Sequence, residues 1–347
     1  MYPAKSYAAA SATKPLAPFA FSRRDLGPHD VLIDIHFCGI CHSDIHQVRD
    51  EWGHSLYPMV PGHEIVGVVA DAGKQVKSFK PGDKVGVGCL VDSCRECPDC
   101  KEGYEQFCRQ PIFTYNCYEK DGKILAQGGY SNRIVVDEHF VLRLPLNLPM
   151  DAMAPLLCAG ITTYSPLRHW KAGPGKRIGV MGLGGLGHMA VKIAKAMGAE
   201  VSVISRSRNK EADAKRLGAH HYHAMGEAGT FEKLAKTFDL ILCTVSVDLD
   251  WNQYLGLLKR DGTMVLLGVP PKAPPVSAAS LIFGRRSLAG SLIGGITETQ
   301  EMLDFCGKHG IVSDIELIPI QKAQEAYERV VKGDVKFRFV IDMASLT

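Results

Sequence analysis

Residues 177–198 read RIGVMGLGGLGHMAVKIAKAMG: an apolar strand runs into a glycine-rich loop and then into a helix. Few folds accept that order. The strand RIGVMG (177–182) is apolar enough to be covered on both faces, and the helix HMAVKIAKAM (188–197) is stopped by Gly198. The same alternation then repeats. VSVIS (201–205) is the next strand, and a helix through 209–217 is stopped by Gly218. FDLILCTV (238–245) and TMVLLGV (263–269) read as buried strands separated by a helix over 249–259, and SLAGSLI (287–293) reads as the sixth strand. Strands alternating with helices of this length predict a parallel sheet with helices on both faces. The handedness of its crossovers makes it doubly wound.

The loop itself is Gly182-Leu183-Gly184-Gly185-Leu186-Gly187. A bare GxGxxG is a weak signal, but between a strand and a helix it reads as a dinucleotide site. The first glycine permits the turn, the second lets a pyrophosphate approach the backbone, and the third lets helix pack on strand. The helix start supplies free N–H groups. At the end of the second strand, NAD-linked enzymes carry an acid for the ribose hydroxyls. Here the segment is Ser205-Arg206-Ser207-Arg208-Asn209-Lys210, with no acid before Glu211. Its cations and hydroxyls suit a 2′-phosphate, which an acid would repel, so NADP(H) is the expected coenzyme. The alternative is an ordinary solvated basic loop.

The first 145 or so residues have another character: short strands such as VLIDIHF (31–37) and EIVGVVADAG (64–73), separated by turns. They predict an irregular β-barrel or sandwich. Within them lies Cys94-x2-Cys97-x2-Cys100-x7-Cys108, in a stretch too polar to fold on a core of its own. Four thiolates at that spacing wrap one tetrahedral Zn²⁺ and leave no open position, so the expected site is structural. Two disulfides are the alternative. The other seven of the eleven cysteines are scattered singly, which argues for a reducing compartment and a cytoplasmic protein. The N-terminus lacks a secretory pattern, and no apolar run reaches a membrane span. A formal net charge of +3 in 347 residues gives no reason to expect a nucleic-acid partner.

Two further stretches are dense in metal ligands and titratable groups: Cys41-His42-Ser43-Asp44-Ile45-His46 and Gly62-His63-Glu64. Leu157-Cys158-Ala159-Gly160 comes much later. Two thiolates and an imidazole would hold Zn²⁺ with a fourth position open. Spacing alone does not single out which three.

Taken together, GICHSDIH, PGHE, the four-cysteine lobe, LLCAGITTY, GLGGLGH and KFRFVID stand in the order found in zinc-dependent medium-chain alcohol dehydrogenases. The chain resembles that family over essentially its whole length. EWGHSLYPMVPGHEIVG, GVGCLVDSC and GSLIGGITETQEMLDFC are similar to its cinnamyl alcohol dehydrogenase branch, including bacterial NADP-dependent aldehyde reductases. The resemblance implies a GroES-like catalytic domain over 1–150, a Rossmann NADP-binding domain over 151–290, and a return to the catalytic domain over 291–347. It implies two Zn²⁺ per chain. Cys41, His63 and Cys158 are the expected catalytic ligands. Glu64 either enters the shell when the substrate position is vacant or stays behind it as a buried carboxylate. Asp44 orients the ligand histidine.

The resemblance further implies a proton relay from Ser43 to His46. The coenzyme contacts it implies are His42, Ser43, Thr162, Thr244, Gly268, Ser291, Leu292, Ile293 and Arg338. Around the substrate it implies Gln47, Trp52, Cys89, Phe113, Val269 and Leu292. The expected reaction is hydride transfer between NADP(H) and primary alcohols or aldehydes, aromatic and medium-chain. A homodimer paired through the sixth strand is expected. An NAD-linked polyol dehydrogenase and a non-catalytic zinc and nucleotide binder are the rival readings.

Overall fold

In the computed structural model, which describes residues 1–346, the long strand β3 is the spine of the N-terminal part. A two-stranded ribbon precedes it, β1 (Tyr2–Ala8) with β2 (Ala17–Arg23). β3 (Asp30–Gly39) places Val31, Ile33, Ile35 and Cys38 in the core. It pairs antiparallel with β4 (Ile65–Ala72), and β4 with β5 (Lys84–Val87). Two register shifts between β3 and β4 bend the sheet, as bulges do. A short pair, β6 (Leu90–Asp92) and β7 (Ile112–Phe113), flanks the cysteine lobe. β8 (Arg133–Asp137) pairs with β3, and β9 (Leu142–Arg143) with β5.

The parallel sheet follows: β10 (Arg177–Met181), β11 (Glu200–Ser205), β12 (His221–Ala224), β13 (Phe238–Cys243), β14 (Leu258–Leu266) and β15 (Ser287–Gly290). Its spatial order is β12-β11-β10-β13-β14-β15 and every pairing is parallel. The strand order reverses between β10 and β13, the switch point outside which such sheets bind ligands. β10 is followed by the helix Gly187–Ala196, and β11 by the helix Glu211–Leu217, which ends at the left-handed Gly218 (φ 106°). The core under β13 and β14 holds Phe238, Ile241, Trp251, Leu255 and Met264.

Four points of the sequence reading need correction. β12 is a strand that the pattern did not reveal: HYHA is short, lies at the sheet edge and buries only its alanine. The helix expected over 249–259 spans only Trp251–Gly256, and β14 begins at Leu258 rather than 263. The last strand ends at Gly290 rather than Ile293, whose φ of 36° is incompatible with a strand.

The chain then adds the helix Ile296–His309, β16 (Ile315–Pro319), the helix Ala323–Lys332 and β17 (Arg338–Asp342). β17 pairs antiparallel with β3, so these strands complete a seven-stranded sheet with β3, β4, β5, β8 and β9. Two compact units result: Met1–Ile161 with the segment from Gly294 onward, and Thr162–Ile293. Among the described residues, no helix is long and apolar enough to cross a membrane.

Candidate active site

The β3–β4 pairing builds the metal cluster. Cys38 stands opposite Ile65, and Gly39 N donates to Glu64 O at 3.0 Å, which draws Cys41 and His63 together from either side. Gly39 has to be glycine, because a Cβ there would lie 1.9 Å from Glu64 Oε2. Cys41 caps the helix His42–Val48, and its N–H donates to Asp44 Oδ2 at 2.8 Å, the carboxylate reaching back to the helix start. Cys158 follows the turn Ala154–Leu157. One ligand atom each from Cys41, His63, Glu64 and Cys158 lies within 4.8 Å of the others, and all four residues are buried.

These donors fit Zn²⁺. Sulfurs about 2.3 Å from a tetrahedral ion stand about 3.8 Å apart, and the Cys41 and Cys158 sulfurs are separated by 3.8 Å. Of the two thiols Cys41 is readied for deprotonation. The Cys158 hydrogen bond pulls it well below the ordinary thiol range against the opposing effect of burial, and Arg338 and His63 add positive charge. Glu64 is fully buried, with Oε1 in an ion pair with Arg338 and Oε2 without a hydrogen-bond partner. A lone buried carboxylate oxygen beside two sulfurs and an imidazole is where a cation belongs.

Asp44 is the hub behind the ligands. Fully buried, it accepts from Cys41 N, from Gly62 N at 3.1 Å and from His63 Nδ1 at 3.1 Å. The last bond leaves Nε2 of His63 as the free donor. Tyr115, which the sequence did not single out, stacks on the His63 ring at 5.9 Å and 22°. Ser43 Oγ lies 3.7 Å from Cys41 Sγ. His46 is half-buried and bonds through Nδ1 to Glu51 Oε2, and Trp52 covers its ring at 4.9 Å. Glu51 also escaped the sequence reading. An acid five residues after the expected relay histidine was its only signal.

The second cluster is as tight. Sulfur separations of 3.4 Å (Cys108–Cys94), 3.5 Å (Cys97–Cys100) and 3.9 Å (Cys94–Cys100) again suit the edges of one tetrahedron.

In the parallel sheet, the loop after β10 has the shape a pyrophosphate needs. Gly182 is left-handed (φ 87°), and a Cβ on Gly187 would fall 2.1 Å from Gly182 O. A Cβ on Gly184 would meet nothing, so that side of the loop is open for close approach. Thr244 Oγ1 donates to Met181 O at 2.7 Å, and Gly268 N to Cys243 O at 3.3 Å, both at the C-terminal ends of strands. Ser291 N donates to Leu266 O at 3.2 Å, and Thr162 is buried in the helix Ala159–His169. After β11, Ser205 is half-buried and Arg206 and Ser207 are exposed, while Lys210 Nζ donates to Leu183 O at 2.9 Å.

The remaining expected residues are more dispersed. His42 is exposed, and its ring lies 5.9 Å from that of His46. Arg338 is buried against Glu64. Cys89 Sγ lies 3.8 Å from Leu157 O, next to Cys158 of the buried cluster. Gln47 hydrogen-bonds the Asn116 amide. Phe113 is partly exposed on β7, and Val269 and Leu292 are exposed beyond β14 and β15. Trp52 lies against the His46 ring, with centroids 4.9 Å apart and planes tilted by 31°.

A two-thiolate, one-imidazole metal cluster and a Rossmann-type sheet in one chain define a metal-dependent, nucleotide-linked oxidoreductase. Comparison with known proteins narrows the class. Residues 27–146 match the alcohol dehydrogenase GroES-like domain and residues 185–308 the zinc-binding dehydrogenase domain. The chain is 60% identical over 343 residues to NADP-dependent alcohol dehydrogenase C 1 of Mycolicibacterium smegmatis, covering 98% of each chain. It is 53% identical over 349 residues to the aldehyde reductase YahK of Escherichia coli, covering 99% of each. A solved cinnamyl alcohol dehydrogenase from Sorghum bicolor superposes with a TM-score of 0.96 at 45% identity, over 99% of each chain. The chain therefore belongs to the zinc-binding alcohol dehydrogenase family, with the GroES-like and Rossmann folds that the sequence led one to expect.

Proposed function

We propose that the protein is an NADPH-dependent aldehyde reductase that also runs in reverse as an alcohol dehydrogenase, with aromatic and medium-chain aldehydes as its substrates. The observation that carries the reading is the buried Cys41–His63–Cys158 cluster, whose fourth donor, Glu64, is shared with Arg338. Such a shell holds the metal while leaving one position for a substrate oxygen. Zinc held there supplies Lewis-acid polarisation of the carbonyl, and NADPH supplies the hydride.

The chain's own groups do the rest. Asp44 keeps His63 in one tautomer and orientation. Ser43 delivers the proton to the carbonyl oxygen. His46 restores it from solvent, with Glu51 fixing its ring through Nδ1. Glu64 would serve as the fourth ligand when no substrate oxygen occupies that position. The Cys94–Cys108 lobe would hold a second, structural zinc. Residues Gly182–Gly187 cradle the pyrophosphate, and Arg206 reads the 2′-phosphate.

The eleven unpaired cysteines support a cytoplasmic setting, and the open edge of β15 supports a homodimer. Aromatic substrates are supported by the likeness to the Sorghum enzyme and by the aromatic Phe113 on β7.

The test is a substrate panel with both coenzymes. NADPH oxidation by benzaldehyde-type, cinnamaldehyde-type and medium-chain aldehydes should exceed NADH oxidation. Arg206→Asp should weaken NADPH on the order of 10³-fold and NADH far less, since a charge-assisted contact becomes a repulsion. Faster NAD-linked oxidation of a polyol would overturn the reading in favour of a polyol dehydrogenase.

A further inference from the structure

The loop after β11 carries three cations, and the structure employs them differently. Arg208 forks onto Glu227, with Nε to Oε1 at 2.5 Å and Nη2 to Oε2 at 2.7 Å, and its Nη1 donates to Glu211 at 2.9 Å. Lys210 is tied to the glycine loop through Leu183 O. Arg206 is exposed, and its side chain makes no hydrogen bond or ion pair among the described residues. Glu227 is not remote from it, because Gly226, the residue before Glu227, donates its N–H to Arg206 O at 3.1 Å.

We propose that Glu227 is a specificity-determining residue of the coenzyme site, which engages Arg208 as a neutral pair so that Arg206 is the guanidinium left to meet the 2′-phosphate. The inference rests on reading this loop as the 2′-phosphate site. A guanidinium fork matches a carboxylate and a phosphate equally well, so a free Arg208 would compete to bind the coenzyme. Both of its faces are instead engaged by carboxylates of the protein. The pair carries no net charge into the site. If Arg208 is removed, an uncompensated carboxylate is left one residue from Gly226, whose N–H bonds Arg206 O, and it repels a phosphate that Arg206 binds. If Glu227 is neutralised, Arg208 keeps its Nη1 contact with Glu211 but loses its fork, and the positive charge beside Arg206 rises by one.

The experiment measures NADPH and NADH dissociation constants for the full-length protein by nicotinamide fluorescence titration, in wild type, Arg208→Gln, Glu227→Gln and the double variant. Arg208→Gln should weaken NADPH about fivefold, and Glu227→Gln should tighten it by a similar factor. The double variant should return to within about twofold of wild type, because its local charge is restored. NADH should shift less than about twofold throughout, and raising the salt should shrink all the differences. A double variant as weak as Arg208→Gln would make Arg208 a direct phosphate ligand and overturn the proposal. So would a Glu227→Gln variant that leaves NADPH unchanged or weaker. An Arg206→Gln variant tests the underlying reading separately. If it keeps the full preference for NADPH, the 2′-phosphate lies elsewhere.

Discussion

Asp44 shows at the scale of one residue how the site is held. One buried carboxylate gathers the Cys41 backbone, the Gly62 N–H before His63 and the His63 ring. His46 has an analogous partner in Glu51, with Trp52 over its ring. Alcohol oxidation needs a proton removed, so His46→Ala should slow it on the order of tenfold or more at pH 6 and much less at pH 9, where hydroxide and buffer substitute. Aldehyde reduction should suffer less at pH 6, where solvent delivers protons. Glu51→Gln should give a weaker version of the same profile, since the ring loses its fixed orientation. The check is kcat for a benzyl-type alcohol across that range, with hydride transfer isolated by a deuterated substrate. An unshifted His46→Ala profile would route the proton elsewhere. The four-cysteine lobe was legible from its spacing alone, because few side chains ligate zinc, whereas Cys41, His63 and Cys158 stood out only through the family resemblance, since they come from three separate stretches of the chain. Glu51 and Tyr115 were legible in neither way. Their work depends on how the end of one helix and a distant loop meet a ring, and neither has a spacing signature.

At the scale of elements, the cysteine lobe is secured at its far end by Glu105. That carboxylate is nearly fully buried, accepts from Ile296 N at 3.0 Å at the start of the helix Ile296–His309, and bonds His139 Nε2 at 3.0 Å. Burial alone would raise its pKa, but the bonds from His139 and Ile296 outweigh that and bring it below the ordinary glutamate value. A depressed folded pKa adds stability that is fully present above the unfolded value of about 4.3 and is lost as the pH falls through the folded value. Glu105→Ala should therefore cost about 1.5–3 kcal/mol at pH 7, and less against wild type as the pH falls below about 4. Denaturant titrations at both pH values check the sign.

The two metal clusters should separate by role in the same way. Cys41→Ser should abolish turnover in a folded protein that keeps roughly one zinc per chain. Cys100→Ser should lower solubility or thermal stability, because the lobe has no core to fall back on. A stable Cys100→Ser protein with wild-type zinc content would contradict the assignment. The buried strands of the parallel sheet and the helices after β10 and β11 were readable because covered strands are continuous apolar runs and those two helices end in glycines. β12 hid because an edge strand of four residues, two of them histidines (His221 and His223), carries no such run.

At the scale of the whole molecule, the parallel sheet ends at β15, whose outer edge has no partner strand among the described residues, and an exposed edge is a template for another strand. Ile282 and Phe283, at 71% and 90% exposure, precede that strand and offer apolar surface for the same contact. The alternation along β15 says which groups face outward. Ser291 N donates inward to Leu266 O, so Leu288 and Gly290, out of step with it, present their N–H groups to the open side. Leu288→Pro removes one of those donors without touching an inward bond. If two chains pair through β15, sedimentation of the wild type at micromolar concentration should show a dimer. Leu288→Pro should shift it to a monomer, and Phe283→Asp should do so in part. The 2′-phosphate preference should persist in both variants, because the Ser205–Lys210 segment follows β11, four places from β15 in the strand order. A wild-type protein that sediments as a monomer, or a Leu288→Pro variant that remains a dimer, would rule out pairing through this edge.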